Sequence, residues 1–190
     1  MAVEQPGGAR TPCLTASETA AAAGLKTQTV EDVAGDVQSA VSESPPAGLE
    51  ALGDITRASL TVTEGELILA IRTAAAFSST TPAGVDCVCY SLALSLPDEA
   101  SGGTTDCTYS VTQSDSRWSI AACARRAAEA ESRQLSLDVR PVVSERTVYL
   151  VVPLSEVPDF VPSFSWGVES EWTQEGAGYS DVVPLVWFTP

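Results

Sequence analysis

From residue 54 to the C-terminus, apolar and polar residues alternate with a period of two, in short runs broken by turn residues. A period of two places successive side chains on opposite faces of an extended chain, so these runs read as strands with one buried face. In "ASLTVT", Ala58, Leu60 and Val62 alternate with Ser59, Thr61 and Thr63. Glu64-Gly65 offers a tight turn, after which "ELILAIRTAAAF" returns. "DCVCYSLALSLP" sets Val88, Tyr90, Leu92, Leu94 and Leu96 against small residues. "CTYSVTQSDSRWSIAA" reads as two strands about a Ser-Asp-Ser turn, and "RQLSLDVRP" with "RTVYLVVPL" as another pair turning near Ser144. "FSWGVESEW" and "DVVPLVWF" close the chain. Eight or nine short strands separated by turns predict an all-β, antiparallel, jelly-roll-like β-sandwich.

Two stretches fall outside that pattern. The interval "ACARRAAEAESRQ" carries helix-favouring Ala, Arg and Glu between strands, and both a helix and a long loop fit it. Near the N-terminus, "LTASETAAAAGL" predicts a short helix, because Thr15 and Glu18 have capping-box spacing and Gly24 can end the turn. The proline pair in "SESPPAG" marks a turn or linker. The chain therefore divides into a tail with a short helix over 1–28 and a sandwich domain over 29–190.

Composition removes several function classes. A net charge of −15 repels nucleic acid and anionic lipid, and the ten cations, nine of them Arg, are dispersed along the sequence. The longest apolar runs are too short to span a bilayer. Histidine is absent, which excludes Ser-His-Asp and Cys-His catalysis and any His-bearing zinc site. Carboxylate-only glycoside hydrolysis and oxygen-ligated calcium remain open. Five cysteines, with Cys87 and Cys89 in a C-x-C, suit disulfides of a secreted protein better than metal or redox motifs. Pairing Tyr109 and Val111 with Trp118 and Ile120 puts Cys107 and Cys123 on opposite faces, so no connectivity follows, and one thiol is left over. No basic segment followed by an apolar one opens the sequence, so a secreted or cell-surface location is expected of a chain without its signal.

The acidic segment "TVEDVAGDVQSAV" is the first candidate site. Calcium takes six to eight oxygens, commonly several carboxylates from an irregular loop. Gly35 allows a turn tight enough for Asp32 and Asp36 to face one centre, and Asp54 at the mouth of the next strand can close the ring, with Glu31 or Asp181 as further donors. A solvated acidic loop is the alternative in a chain with 25 acids.

The order of motifs, Asp32-Val33-Ala34-Gly35-Asp36, then Asp54-Ile55-Thr56 leading to Leu60 and Val62, then "FSWGVES" and Asp181 ahead of Pro184, resembles the DOMON-like group of β-sandwiches. That group includes carbohydrate-binding modules of family 9. The resemblance covers roughly residues 29 to 190. It implies a jelly-roll sandwich that binds sugars, haem or calcium, or serves as a non-catalytic appendage, and an ion that pins the N-terminal segment to the body. The sequence departs from the haem-binding members, having no Met and His pair, and shows no aromatic cluster matching the sugar-binding ones.

Among the aromatic residues, Trp172 lies in the polar, glycine-containing stretch "ESEWTQEGAGY" and is the best candidate for an exposed sugar-stacking platform, with Tyr179 beside it. Trp166 and Trp187 have apolar neighbours and read as core. Glu169, Glu171 and Glu175 flank Trp172, and two of them would serve a carboxylate-only glycosidase. The resulting expectation is a non-catalytic extracytoplasmic accessory domain, calcium-stabilised through Asp32, Asp36, Asp54 and Asp181, with a glycan or cell-surface protein as partner. A structural or interaction protein without a small ligand is the alternative, and a glycosidase the weaker one.

Overall fold

The computed structural model describes residues 26–39, 44–98, 102–115, 117–126, 133–135, 142–157 and 160–188. The helix expected over 15–24 lies outside them. In chain order the strands are β1 (Lys26–Glu31), β2 (Gln38–Ser39), β3 (Ile55–Val62), β4 (Glu66–Thr73), β5 (Val85–Asp98), β6 (Gly103–Ser114), β7 (Arg117–Arg126), β8 (Arg133–Leu135), β9 (Val142–Ser144), β10 (Thr147–Pro153), β11 (Phe164–Gln174) and β12 (Ala177–Phe188). They form two antiparallel sheets, a smaller one ordered β1-β3-β4-β10-β9 and a larger one ordered β2-β12-β11-β5-β6-β7-β8. The architecture is an all-β sandwich, as the period-two pattern predicts.

The alternation explains which faces meet. Ile55, Ala58 and Leu60 of β3, Leu67, Leu69 and Ile71 of β4, and Val148, Leu150 and Val152 of β10 point inward from the smaller sheet. Val88, Tyr90, Leu92, Leu94 and Leu96 on β5, Tyr109 and Val111 on β6, and Phe164, Trp166, Val168 and Trp172 on β11 point inward from the larger one. These residues belong to a single core. Burial of a large apolar side chain contributes about 1.5–3 kcal/mol, so this layer dominates stability. The β3–β4 hairpin is tied by the Thr63 hydroxyl, which accepts the backbone N–H groups of Gly65 and Glu66 at 3.2 and 2.8 Å.

The structure corrects the sequence reading at four places. β1 begins at Lys26, inside the stretch assigned to the tail, and its "KTQTVE" is an edge strand with mostly exposed side chains, so it lacks the apolar alternation that marks the others. The "RQL" segment does not pair with β10; β8 pairs with β7 in the larger sheet, and β10 pairs with β9. The first part of the ambiguous interval is neither helix nor loop but the end of β7. The stretch around Trp172 is a hairpin, not a loop: Glu175 and Gly176, with φ of 52° and 84°, make a two-residue turn, so β11 and β12 run right up to it.

The expected disulfides are not found among the described residues. Cys87 and Cys89 are half-buried free thiols. They lie two residues apart on β5, facing the same way, and their partners across to β11 are Thr173 and Glu171, so neither is paired across that ladder with a cysteine. Cys123 pairs in register with Thr108, whereas Cys107 pairs with Ala124, which keeps the two out of line as the apolar pattern requires.

Candidate metal centre

β1 is an edge of the smaller sheet and β2 an edge of the larger. Residues 32–37 cross between them. Two anchors fix this crossing. The side-chain amide of Gln28 accepts the indole N–H of Trp166 at 2.7 Å and donates to the carbonyl of Trp187 at 3.1 Å, tying β1 to the larger sheet. The Asp32 N–H donates to the carbonyl of Thr56 at 3.1 Å, beside a bulge in β3.

Gly35 adopts φ of +89°, a conformation that costs glycine little, and its N–H donates to Oδ2 of Asp54 at 2.8 Å. This turn brings Asp36 back toward Asp32. From the opposite sheet, Asp181 on the inward face of β12 reaches across to accept the backbone N–H of Ile55 at 2.6 Å. Carboxylate oxygens of Asp32, Asp36 and Asp181 consequently lie within 4.8 Å of one another. Asp54 stands beside this triad rather than in it, holding the loop through Gly35.

The electrostatics of the cluster are unfavourable as they stand. Asp54 and Asp181 are almost closed to solvent, at 2% and 4% exposure, with no cation paired to them among the described residues. Burial pushes the Asp181 carboxyl up to about 6, against the pull of the Ile55 N–H, and Asp32, Asp36 and Asp54 raise it further. Burial likewise raises Asp54 and Asp32, with the neighbouring acids adding to it and one backbone N–H opposing in each case. Oδ1 of Asp54 and Oδ2 of Asp32 are buried and find no hydrogen-bond partner among the described residues. Buried charged oxygens without partners are costly, and a divalent cation bound by these oxygens would relieve that cost. The donors are all hard oxygens, the set that calcium and magnesium prefer.

The aromatic candidates fall elsewhere. Trp172 is 1% exposed and Tyr179 5%, and their rings stack on each other with centroids 4.1 Å apart. Trp172 is therefore not the exposed residue that its polar neighbours suggest. It continues the inward parity of Phe164, Trp166, Val168 and Ser170, and an open groove of about 300 Å³ beside the pair meets almost no free ring face. Trp187, read as core from its neighbours, is instead 54% exposed. Glu169 and Glu171 lie on the outward face of β11, away from Trp172, with Glu169 half-buried and Glu171 exposed, and Glu175 sits in the turn.

Sequence reasoning missed two supports of the metal centre. Ser170 pairs in register with Asp181 and its hydroxyl donates to the carbonyl of Gly53 at 2.5 Å, fixing the approach to Asp54. Gly53 itself, with φ of +76°, packs so closely that a β-carbon would lie 3.0 Å from both Ser170 Oγ and Trp172 Cδ1. The only signal for either was a serine on an apolar face and a glycine directly before Asp54. Compared with known proteins, the chain matches no family model, no curated protein and no solved structure.

Proposed function

We infer that Asp32, Asp36 and Asp181, with Asp54 alongside, bind a calcium ion that fastens the β1–β2 crossing to both sheets. The observation that carries this reading is the convergence of three carboxylates within 4.8 Å next to a buried Asp54 oxygen that has no partner among the described residues. Like charges so placed repel one another, and a cation converts the repulsion into attraction. The fit to calcium, not magnesium, rests on the mixed exposure and mixed origin of the donors, two from the crossing and one from strand β12, since calcium accepts irregular geometry and magnesium demands an octahedron.

On this reading the domain is a non-catalytic accessory module acting outside the cytoplasm, where calcium is abundant. The resemblance to DOMON-like sandwiches supports the same role. No described helix is long and apolar enough to cross a membrane. Between a glycan ligand and a surface interaction without a small ligand, the mutual stacking of Trp172 and Tyr179 favours the latter, because neither ring offers an open face.

Thermal unfolding with added calcium against chelator tests the site. A ligand that binds only the folded state stabilises it by about 2.7 kcal/mol at roughly a hundredfold excess over Kd. An unchanged melting temperature would remove the calcium reading. Magnesium in place of calcium should give a smaller rise.

A further inference from the structure

A second charged feature lies on the outer face of the smaller sheet. Glu31, Thr56, Arg57, Arg72 and Arg146 are among the residues lining a shallow depression of about 270 Å³. A chain with 25 acids and ten Lys and Arg thus places three of those ten cations around one hollow. The bulge at Thr56 sets Arg57 directly opposite Arg72 across the β3–β4 pair. Like charges directly opposed on neighbouring strands destabilise a sheet. Arg146, in the turn between β9 and β10, is brought alongside because its carbonyl accepts the N–H of Thr73 at 2.9 Å.

Internal neutralisation does not account for the grouping. Oε1 of Glu31 accepts from Nε and Nη2 of Arg57, at 2.7 and 2.6 Å, which orients that guanidinium. Arg72 and Arg146 have no carboxylate partner among the described residues. Nor does any of the three arginines form an ion pair with Asp32, Asp36, Asp54 or Asp181 among the described residues.

We propose that this depression is a binding site for an oxyanion, a carboxylate, sulfate or phosphate group held by Arg72 and Arg146 with Arg57 as an oriented third donor. Guanidinium groups present paired N–H donors that match the oxygens of such anions, and the hollow is large enough for the anionic group with a few attached atoms. The net charge of −15 repels anions from the surface at large, so binding here is local and weak.

The test titrates isotopically labelled protein, with chelator present, with sodium sulfate, sodium phosphate or sodium glucuronate, against sodium chloride at equal ionic strength. Saturable shifts of the Thr73 and Ala74 amides are expected with at least one of the three probes. Arg72→Gln and Arg146→Gln should each weaken that binding by about tenfold while leaving the melting temperature in chloride no lower than that of the parent. Sulfate and phosphate without glucuronate would define the ligand as a tetrahedral oxyanion, and glucuronate alone as a carboxylate. Shifts no larger than with chloride, shifts confined to another surface, or undiminished binding in both variants would overturn the proposal.

Discussion

Asp181 on β12 accepts the backbone N–H of Ile55, the first residue of β3, at 2.6 Å, so one carboxylate links the two sheets at the rim of the core. The link orders the start of β3 and at the same time places a buried negative charge next to Asp32, Asp36 and Asp54. It holds the cluster together, while burial, and after it the neighbouring acids, push its own carboxyl up to about 6.

Replacing Asp181 with asparagine separates the two roles. Asp181→Asn keeps an oxygen to accept the Ile55 N–H but removes the charge. The calcium-induced rise in melting temperature should be lost. In chelator near neutral pH, the variant should be more stable than the parent by about 1 kcal/mol, a figure discounted for partial solvent screening. Urea unfolding with and without calcium measures both, and a variant weaker than the parent in chelator would contradict the repulsion described above.

The pH dependence should change sign with calcium. The Asp181 carboxyl rises from 3.8 to about 6 on folding, and Asp32 and Asp54 also rise. A carboxyl with a raised folded pKa binds its proton more tightly in the folded state. Its stabilising effect is therefore present at low pH and is lost as pH climbs through about 6. Chelated protein should melt higher near about pH 5 than near about pH 7.5. With saturating calcium the order should reverse, because the ion needs deprotonated ligands. Calorimetry across this range distinguishes the two slopes.

Gly53→Ala should damage both the fold and the ion site. The new β-carbon meets Ser170 Oγ and Trp172 Cδ1 at 3.0 Å, and neither can retreat, one being hydrogen-bonded to Gly53 and the other stacked on Tyr179. With the strain of a positive φ added, a loss of about 2–3 kcal/mol is expected. Asp54, the next residue, should shift with it, so calcium titration should show weaker binding than in the parent.

Trp172→Ala should cost about 3–5 kcal/mol of stability, the range for removing a buried aromatic side chain. A residue serving only as a surface platform would cost far less. Denaturant midpoints of the variant and parent settle which role Trp172 has.

The legibility of this chain follows the reach of each interaction. Strands such as β5, with Val88, Tyr90, Leu92, Leu94 and Leu96 all inward, declare themselves because one face is buried along its length. β1 does not, because an edge strand carrying Thr27, Gln28 and Thr29 is stabilised by what it is paired with and by Gln28 reaching Trp166, which sequence spacing does not record. Trp172 was misread because its polar neighbours Glu171 and Thr173 point the other way on the same strand. The acids Asp32 and Asp36 were readable as a pair from Gly35 between them. That Asp181 rather than Asp54 completes the group depends on how β12 packs against β3, a contact between residues 126 positions apart.

The crossing from β1 to β2 also bears on which strand edges the sandwich leaves open to other chains. β1 shields the hydrogen-bonding edge of β3, and β2 shields part of the edge of β12. Unshielded strand edges recruit other chains. A chain whose crossing has come loose would present two such edges at once, next to the exposed Val182, Leu185 and Trp187. If the cluster holds calcium as proposed, depletion would show itself first as self-association, before any loss of the core, and the ion would act as a guard against polymerisation as much as a support for the fold.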